Sequence, residues 1–392
     1  MNQNKSLSIM QVLPSLISGG VETGTVDIAR ALVQSGHRAI VVSSGGQMVA
    51  KLNDMGATHI TLPVHSKNPI VMWQNAQKIK QLIRNEKIDV VHARSRAPAW
   101  SCYWATRSEQ TPYITTFHGT YGHKSRIKRW YNSVMLKSDI TIAVSNFIAE
   151  HIAENYTEQL KTTPLEHAVK VIHRGIDIDK FNPASTPSEA VLALRKAWDI
   201  PDNNIVIMLP GRLTRWKGHT FLIEALAKLE QDNITCLLVG DNKDKDHYFE
   251  ELKALIHRHQ LDTAVKMVGG CTNMPAAYSL ADIVVSASTD PEAFGRVVCE
   301  AQAMKCLVVA TKHGGSLENI AHEQQHLMCR VSDSEAMANS IRSGLALCQT
   351  EHAALKNSIV NASREHIKHN FTLELMCRDT LSVYNQVLAN KG

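Results

Sequence analysis

Short apolar runs alternate with longer amphipathic segments along most of the chain, and this alternation restricts the fold more than any other feature. The runs have the length of buried strands, and the segments between them have the apolar spacing of helices. The pattern predicts βαβ units, parallel sheets and therefore an α/β fold class. The first series of predicted strands comprises residues 8–13, 38–43, 59–62, 90–93, 114–117 and 140–144. The second comprises residues 169–173, 205–210, 235–239, 265–267, 283–286 and 307–310.

Two series of strands predict two domains, and a length of 392 residues agrees with that number. Residues 177–187 contain two prolines and several small polar residues, which are typical of a linker, so the boundary is expected near residue 180. The apolar spacing of residues 373–388 predicts a closing helix. The expected domains are residues 1–180 together with 373–392, and residues 181–372.

Composition excludes several classes of protein. With 44% hydrophobic and 20% charged residues, the chain is neither disordered nor collagen-like. No apolar run approaches the roughly 18 residues of a membrane helix, and the N-terminal segment is a poor signal peptide, so a cytoplasmic protein is expected. The eight cysteines are scattered without a C-x-x-C pair, which favours reduced thiols over a disulfide framework or a zinc site.

The charge is distributed unevenly. Residues 1–185 hold 21 Lys and Arg against 13 Asp and Glu, whereas the remainder holds 21 against 24. The basic excess is densest in residues 123–131, which we expect to meet anionic lipid head groups or phosphorylated acceptors. A solvated helix face is the alternative for this segment. No nucleic-acid-binding module accompanies the positive charge, so no nucleic-acid partner is expected.

A glycine-rich turn follows the first predicted strand and leads into a helix. Gly19 and Gly20 would let the backbone approach a ligand and direct N–H groups at an anion or a sugar oxygen. The spacing G-G-x-x-x-G differs from the dinucleotide fingerprint G-x-G-x-x-G, and no acidic residue ends the second strand. A nicotinamide-dependent dehydrogenase is therefore disfavoured.

Charged residues also follow two strands of the second series. Arg212 and Lys217 lie at a strand-to-helix turn, where a guanidinium and an ammonium can converge on one diphosphate. Glu292 precedes a helix expected to begin near Gly295, and Glu300 lies within that helix. At about 1.5 Å of rise per residue the two carboxylates are on the order of 10 Å apart, which suits opposite ends of a long ligand better than one scissile bond.

These motifs together resemble the family 4 retaining glycosyltransferases, which have the GT-B fold. The likeness rests on Gly211-Arg-Leu-x-x-x-Lys217-Gly and on Glu292-x7-Glu300 with Phe294-Gly295 inside it. It extends to Gly19-Gly20, to Phe117-His-Gly119 and to the approach to the hinge at 171–177. The resemblance implies two Rossmann-like domains that face one another across a cleft, with a C-terminal helix returning to the first domain. The runs at 92–98 and 115–119 resemble bacterial enzymes that build surface glycans such as lipopolysaccharide.

The resemblance also implies a role for each matching residue. Arg212 and Lys217 would hold the donor diphosphate, and Glu300 would bind the ribose hydroxyls. Glu292 would contact the hydroxyls of the donor sugar. Backbone N–H groups near Phe294 and Gly295, the side chain of His118 beside the anomeric carbon, and Gly19-Gly20 would complete the site. The family often has Asn where this chain has Arg174, and an aliphatic residue where it has Arg296, which bears on acceptor and sugar preference.

The resemblance therefore implies a metal-independent, retaining hexosyltransferase without a cofactor. Its donor would be a UDP-, GDP- or ADP-sugar, and its acceptor a hydroxyl of a glycolipid or surface glycan of the lipopolysaccharide type. We expect it in the cytoplasm, peripheral on the inner face of the plasma membrane. The alternatives are the same chemistry on a small soluble acceptor, or a non-catalytic nucleotide-sugar-binding protein. Two D-x-D sequences, at 177–179 and 244–246, are interpreted as loop residues rather than metal ligands.

Overall fold

The computed structural model describes residues 6–17, 19–122, 125–157, 169–229, 231, 233–241 and 247–390. Contacts between Cα atoms divide the chain into two units, one of residues 1–175 with 373–392 and one of residues 176–372. The division falls between Gly175 and Ile176 and again between Thr372 and Leu373. Phe181, inside the segment expected to be a linker, is buried in the apolar core of the second unit.

The first unit contains a parallel sheet in the order β3-β2-β1-β4-β5-β6-β7. Its strands are β1 Ser8–Val12, β2 Arg38–Ser43, β3 Thr58–Thr61, β4 Val90–Ala93, β5 Tyr113–Phe117, β6 Ile140–Ala143 and β7 Val169–Val171. Its helices are α1 Gly20–Gln34, α2 Val49–Asp54, α3 Pro69–Asn85, α4 Arg96–Glu109, α5 Arg126–Asn132 and α6 Asn146–Asn155, and α15 Leu373–Ala389 at the end of the chain. The strands read as apolar runs because helices cover both faces of such a sheet.

The second unit contains a parallel sheet in the order β10-β9-β8-β11-β12-β13. Its strands are β8 Ile205–Pro210, β9 Ile234–Val239, β10 Val265–Gly269, β11 Ile283–Ser286, β12 Leu307–Thr311 and β13 Met328–Cys329. Its helices are α7 Ser188–Ala197, α8 His219–Leu226, α9 His247–Arg258, α10 Met274–Leu280, α11 Arg296–Ala303, α12 Ser316–Asn319, α13 Ser334–Leu347 and α14 Ala353–Asn370. Both units are Rossmann-like, which confirms the predicted α/β class.

The prediction that residues 169–173 open the second series of strands is wrong. Val169–Val171 is the edge strand of the first sheet, where Thr141 pairs with Val169 and Ala143 with Val171. The sequence of an apolar run does not show which sheet the strand joins. Its position along the chain therefore predicted the wrong sheet. The two-residue strand Met328–Cys329 was too short to predict.

Helix α15 belongs to the first unit, as the predicted closing helix requires. Met376, Cys377 and Val383 are buried in the same apolar cluster as residues of β1, β2 and α1. The hydroxyl of Tyr384 hydrogen-bonds Nδ1 of His92 on β4 over 2.8 Å. The helix therefore completes the core beneath the first sheet.

Strand order places a reversal in each sheet. In the first unit the order reverses between β1 and β4, and in the second between β8 and β11. Open parallel sheets bind ligands beside the carboxyl ends of the strands at such a point. The predicted site residues follow β1 and β5 in the first unit, and β8 and β11 in the second.

Candidate functional site

In the second unit, two loops at the sheet reversal are tied together by backbone and side-chain contacts. The loop after β8 carries Arg212 and Lys217, and the loop after β11 carries Glu292. The backbone N–H of Thr289 donates to the carbonyl of Trp216 over 2.7 Å, which fixes one loop against the other. The contact between the loops lets Lys217 form an ion pair with Glu292, although the two residues are 75 positions apart.

The Lys217–Glu292 pair is largely shielded from solvent. Their side chains are 15% and 18% exposed, and Oε1 of Glu292 also accepts a hydrogen bond from the hydroxyl of Ser288 over 2.8 Å. The ammonium of Lys217 lies 4.3 Å from the centroid of the Trp216 ring. Arg212 is exposed, and it forms no ion pair with any residue that the structure describes. Among the described residues, Lys217 is therefore compensated by a carboxylate, whereas Arg212 is not.

Glu300 is held from two sides on helix α11. Arg296, one turn earlier, donates to Oε1 over 2.9 Å, and the hydroxyl of Tyr278 donates to Oε2 over 3.0 Å. Burial and the carboxylate of Glu300 raise the pKa of Tyr278 well above its usual value, so its hydroxyl remains a donor. A carboxylate oxygen can accept more than one hydrogen bond. Each oxygen of Glu300 can therefore still accept a hydrogen bond from a ligand.

The N-terminus of α11 depends on a glycine. Gly295 has φ of 87°, in the left-handed region, and a Cβ atom there would lie 2.7 Å from Oγ of Ser316. The preceding carbonyl, of Phe294, accepts a hydrogen bond from the amide of Asn319. The predicted start of this helix near Gly295 is therefore correct, and the backbone is fixed where N–H groups at the helix start remain available for a ligand.

In the first unit, Arg174 connects the glycine turn to His118. Its guanidinium donates to the carbonyl of Gly20, at the start of α1, and lies 3.3 Å from Nδ1 of His118. A Cβ atom on Gly24 would lie 2.7 Å from Nη2 of Arg174, so the guanidinium occupies space that this glycine leaves free. The helix starts at Gly20, within the glycine-rich turn that was expected to precede it.

The contact with Arg174 determines the protonation of His118. A guanidinium only donates, so Nδ1 must be an acceptor and the proton of the neutral ring lies on Nε2. Burial, with the nearby cations Arg94 and Arg174, holds the pKa of His118 well below its usual value. Nε2 is buried and has no partner among the described residues, so it is a hydrogen-bond donor available to a ligand.

A second buried arginine lies near His118. Arg94 follows β4, is 4% exposed, and donates to Oε1 of Gln11 over 2.9 Å. It forms no ion pair with a described residue, and burial lowers its pKa. Arg94 lies in the run 92–98, but the family resemblance implied no role for it. Its position, as a cation directly after an apolar strand, was the feature that could have identified it as a site residue.

Tyr278 and Ser288 were also missed. Both orient a predicted carboxylate, through contacts with Glu300 and Glu292 respectively. Single hydroxyls in apolar surroundings carry no distinctive pattern, and only the packing identifies their partners. Arg296, noted only as a departure from the family, is the cation that neutralises Glu300.

The remaining predictions concern metal and membrane. No group of three or more potential metal ligands occurs among the described residues. Asp177 accepts a hydrogen bond from the backbone of Lys180, whereas residues 244–246 lie outside the described part. Residues 123 and 124 of the predicted basic segment also lie outside it. No helix of the described chain is both long and apolar enough to cross a membrane.

Comparisons with known proteins agree with the fold of each unit. Residues 18–180 match the family model Glycosyltransferase Family 4, and residues 192–360 match the model Glycosyl transferases group 1. The chain is 38% identical to a glycosyltransferase from Rickettsia africae of known crystal structure, covering 98% of this chain and 100% of that one, with a TM-score of 0.89.

Two further relatives have more specific names. HepE from Anabaena, solved in complex with UDP-glucose, is 25% identical over 96% of this chain and 100% of its own, with a TM-score of 0.81. The N-acetyl-alpha-D-glucosaminyl L-malate synthase of Bacillus anthracis is 22% identical over 96% of this chain and 95% of its own.

Proposed function

The chain belongs to the family 4 glycosyltransferases of the GT-B fold, and from that premise we propose a metal-independent hexosyltransferase that retains anomeric configuration. Its donor is a nucleoside-diphosphate sugar, and its acceptor is a hydroxyl of a glycolipid or surface glycan of the lipopolysaccharide type. The observation that carries the donor assignment is the shielded Lys217–Glu292 pair at the sheet reversal of the second unit. The loop that carries Lys217 also carries Arg212, an exposed cation without an ion pair among the described residues.

The donor diphosphate is assigned to Arg212 and Lys217. Without a ligand, Lys217 is neutralised by Glu292; a diphosphate would compete for the ammonium and leave Glu292 to accept from sugar hydroxyls. Two cations fixed beside the leaving group stabilise the negative charge that develops on it. For this reason the proposal requires no divalent ion.

The reaction we assign breaks the bond between the anomeric carbon and the phosphate oxygen, and the nucleoside diphosphate leaves with the electron pair. The acceptor oxygen then bonds to the same face of the anomeric carbon, and its proton passes to an oxygen of the departing phosphate. His118 contributes a hydrogen bond from Nε2 to the sugar rather than acting as a base, since its other nitrogen is already an acceptor from Arg174.

The nucleoside is assigned to the neighbourhood of Glu300. Its carboxylate is preorientated by Arg296 and Tyr278, so it loses little conformational freedom when it accepts from ribose hydroxyls. We assign two further groups to the sugar and the phosphates: the backbone N–H groups at Phe294 and Gly295, and the turn at Gly19 and Gly20. Because HepE was solved with UDP-glucose, UDP-sugars are the first donors to test.

The acceptor assignment rests on the resemblance to surface-glycan enzymes and on the basic segment 123–131. We place the enzyme at the inner face of the plasma membrane, where exposed Ile127 would contact lipid. A small soluble acceptor is the second candidate, and the relative named for L-malate favours it.

A thermal-shift panel tests the donor assignment. UDP, GDP, ADP and their common sugar conjugates are added to the wild type and to Glu300→Ala, with and without magnesium. One nucleotide family should raise the melting temperature independently of magnesium, and Glu300→Ala should lose the shift. Glu250→Ala, which removes an exposed carboxylate of the same unit, is the matched control and should keep it. No shift with any nucleotide would overturn the proposal.

A further inference from the structure

A cavity of about 620 Å³ lies in the first unit beside helix α5. It is within the range of small-molecule sites, roughly 300–1,000 Å³. The side chains that matter for its chemistry are three cations, a histidine and two aromatic rings: Lys67, Arg96, Lys128, His65, Trp130 and Tyr131. No acidic side chain occurs among its described lining residues. The cavity is therefore positively charged and partly aromatic.

The three cations of the cavity are not neutralised. Lys67, Arg96 and Lys128 form no ion pair with a described residue. Elsewhere in the same unit, Lys80 and Arg84 both pair with Glu109, so unpaired cations are not general in the unit. Converging cations without a counter-charge repel one another, and an anion bound between them removes that repulsion.

Arg96 is held in a fixed orientation. Its Nη1 donates to Oδ1 of Asn132 over 3.0 Å, and its guanidinium carbon lies 4.2 Å from the centroid of the Tyr121 ring. One of its five N–H groups is used in this way, which leaves others to donate. Asn132 itself is 2% exposed. A guanidinium fixed by a buried amide and an aromatic ring is suited to the oxygens of a phosphate.

The aromatic part of the cavity has both an exposed ring and an unsatisfied hydroxyl. Trp130 is 61% exposed and packs on buried Trp100, with 4.8 Å between ring centroids. The indole of Trp100 donates to the carbonyl of Tyr131 over 3.1 Å. The hydroxyl of Tyr131 is buried without a partner among the described residues. An exposed indole and a free hydroxyl complement the C–H face and the hydroxyls of a sugar.

We propose that this cavity binds a phosphate ester of the acceptor, so that the acceptor is a phosphorylated saccharide. The proposal rests on the proposed function and specifies its substrate class. A phosphate ester combines the charge that the cations require with a sugar ring that Trp130 can cover. A planar bilayer does not fill a concave site, whereas a phosphorylated sugar does, whether it is soluble or attached to a lipid.

The first test follows the indole resonance of Trp130 by NMR, assigned with Trp130→Phe. Glucose 1-phosphate should shift this resonance saturably, and glucose at the same concentrations should not. Lys67→Gln/Lys128→Gln should weaken binding of glucose 1-phosphate by about tenfold or more, because two charged contacts are lost. Equal shifts by glucose and glucose 1-phosphate would overturn the phosphate assignment.

Lys51→Gln/Lys78→Gln is the matched control for the double variant. It removes the same charge from exposed positions of the same unit, outside the cavity. Its affinity for glucose 1-phosphate should stay within about twofold of the wild type, since distant exposed charges are screened by salt. Equal weakening of both double variants would mean that general charge, rather than the cavity, attracts the anion.

Vesicles distinguish the two sources of the phosphate. If phosphatidylcholine vesicles perturb Trp130 only when they contain phosphatidic acid, and Lys67→Gln/Lys128→Gln abolishes the effect, the phosphate belongs to a lipid-linked acceptor. If only glucose 1-phosphate acts, the acceptor is soluble. Either result supports a phosphate site. An equal effect of pure phosphatidylcholine, or no effect of any probe, would overturn it.

The nucleotide panel, repeated on Lys67→Gln/Lys128→Gln, separates this inference from the proposed function. The variant should keep the nucleotide shift of the wild type, since neither Lys67 nor Lys128 is among the residues assigned to the donor. Retained nucleotide binding without any phosphate effect at Trp130 would overturn the acceptor site alone. Loss of nucleotide binding in the wild type would overturn the proposed function.

Discussion

The candidate sites of the two units differ in the partners that their cations contact. In the second unit, Lys217 pairs with Glu292 and Arg296 with Glu300. In the first unit, the guanidinium of Arg94 binds the amide of Gln11, and that of Arg174 binds a carbonyl and the ring of His118. The second site contains carboxylates that a ligand can displace, whereas in the first site buried Arg94 contacts a neutral amide and forms no ion pair with a described residue.

This difference indicates a division of labour. A compensated pair can exchange partners, so the second site suits a diphosphate that arrives and leaves in each cycle. The neutral amide of Gln11 leaves the charge of buried Arg94 in place, so the first site keeps a constant field around His118. Changes to the second site should therefore alter ligand exchange, and changes to the first should alter protonation.

The largest expected effect comes from breaking the ion pair between Lys217 and Glu292 in the second unit. Lys217→Ala removes the cation assigned to the leaving group and should lower kcat by about 10²–10³. Release of nucleoside diphosphate measures the loss. Lys228→Ala, which removes an exposed lysine paired with Glu335, should leave the rate unchanged. A decrease of less than about tenfold in Lys217→Ala would contradict the assigned role.

A second prediction asks whether the second unit, like the first, keeps a buried imidazole neutral. Burial, with the charge of Lys217, lowers the pKa of His219 from 6.5 to about 4. The unfolded chain therefore binds a proton that the folded chain rejects, and stability is lost as pH falls from 6.5 towards 4. The loss from His219 should reach about 3 kcal/mol.

Hydrogen exchange of the amides of β8 and β9 near pH 7 and near pH 4 reports on the second unit alone. After correction for the intrinsic exchange rate, wild-type protection should fall more than that of His219→Asn. An identical pH dependence in both proteins would show that another group is responsible.

A third prediction tests how rigidly the second site is built. Gly295→Ala combines a φ of 87° with a contact to Ser316 and should cost about 2–3 kcal/mol of unfolding free energy. Gly269→Ala has a φ of 75° but no atom within 4 Å of its new Cβ, so it should cost only about 1 kcal/mol. Denaturant unfolding compares them, and equal losses would mean that the contact with Ser316 is relieved.

The smallest expected effect concerns the first unit. Arg174→Gln removes one of the two cations that hold down the pKa of His118, and Gly24→Ala should displace the same guanidinium. In both variants the pKa should rise towards its usual value. Activity near pH 6 should then fall about threefold relative to pH 8, because a protonated ring adds a positive charge beside the anomeric carbon, where positive charge develops as the diphosphate leaves.

The pH–rate profile and an NMR titration of His118 measure this effect together. Arg107→Gln removes an exposed arginine of helix α4 and should reproduce the wild-type profile. An unchanged titration in both Arg174→Gln and Gly24→Ala would mean that burial and Arg94 suffice to keep the ring neutral.

The sequence predicted the fold class, most strands and the closing helix, because the spacing of apolar residues that marks each element is a local feature of the chain. It misplaced residues 169–173, since membership of a sheet is decided by a partner far along the chain, here β6. The start of α1 at Gly20 was likewise hidden, because glycine does not signal a helix.

The proposed site residues came from motifs, whereas their interactions came only from the structure. The pairing of Lys217 with Glu292 depends on two loops that meet across the sheet reversal. The orientation of Glu300 by Tyr278 depends on packing between α10 and α11. No local pattern encodes either contact, so the sequence could suggest which residues act but not how they are held before a ligand binds.

The path of the chain also constrains the order in which the protein is made. His92 and Tyr384, which share a hydrogen bond in the first unit, are 292 residues apart. During synthesis, residues 176–372 emerge from the ribosome before α15 exists. The nascent second unit can thus fold while the first still exposes the apolar surface that α15 will cover. The unit made first is the one completed last.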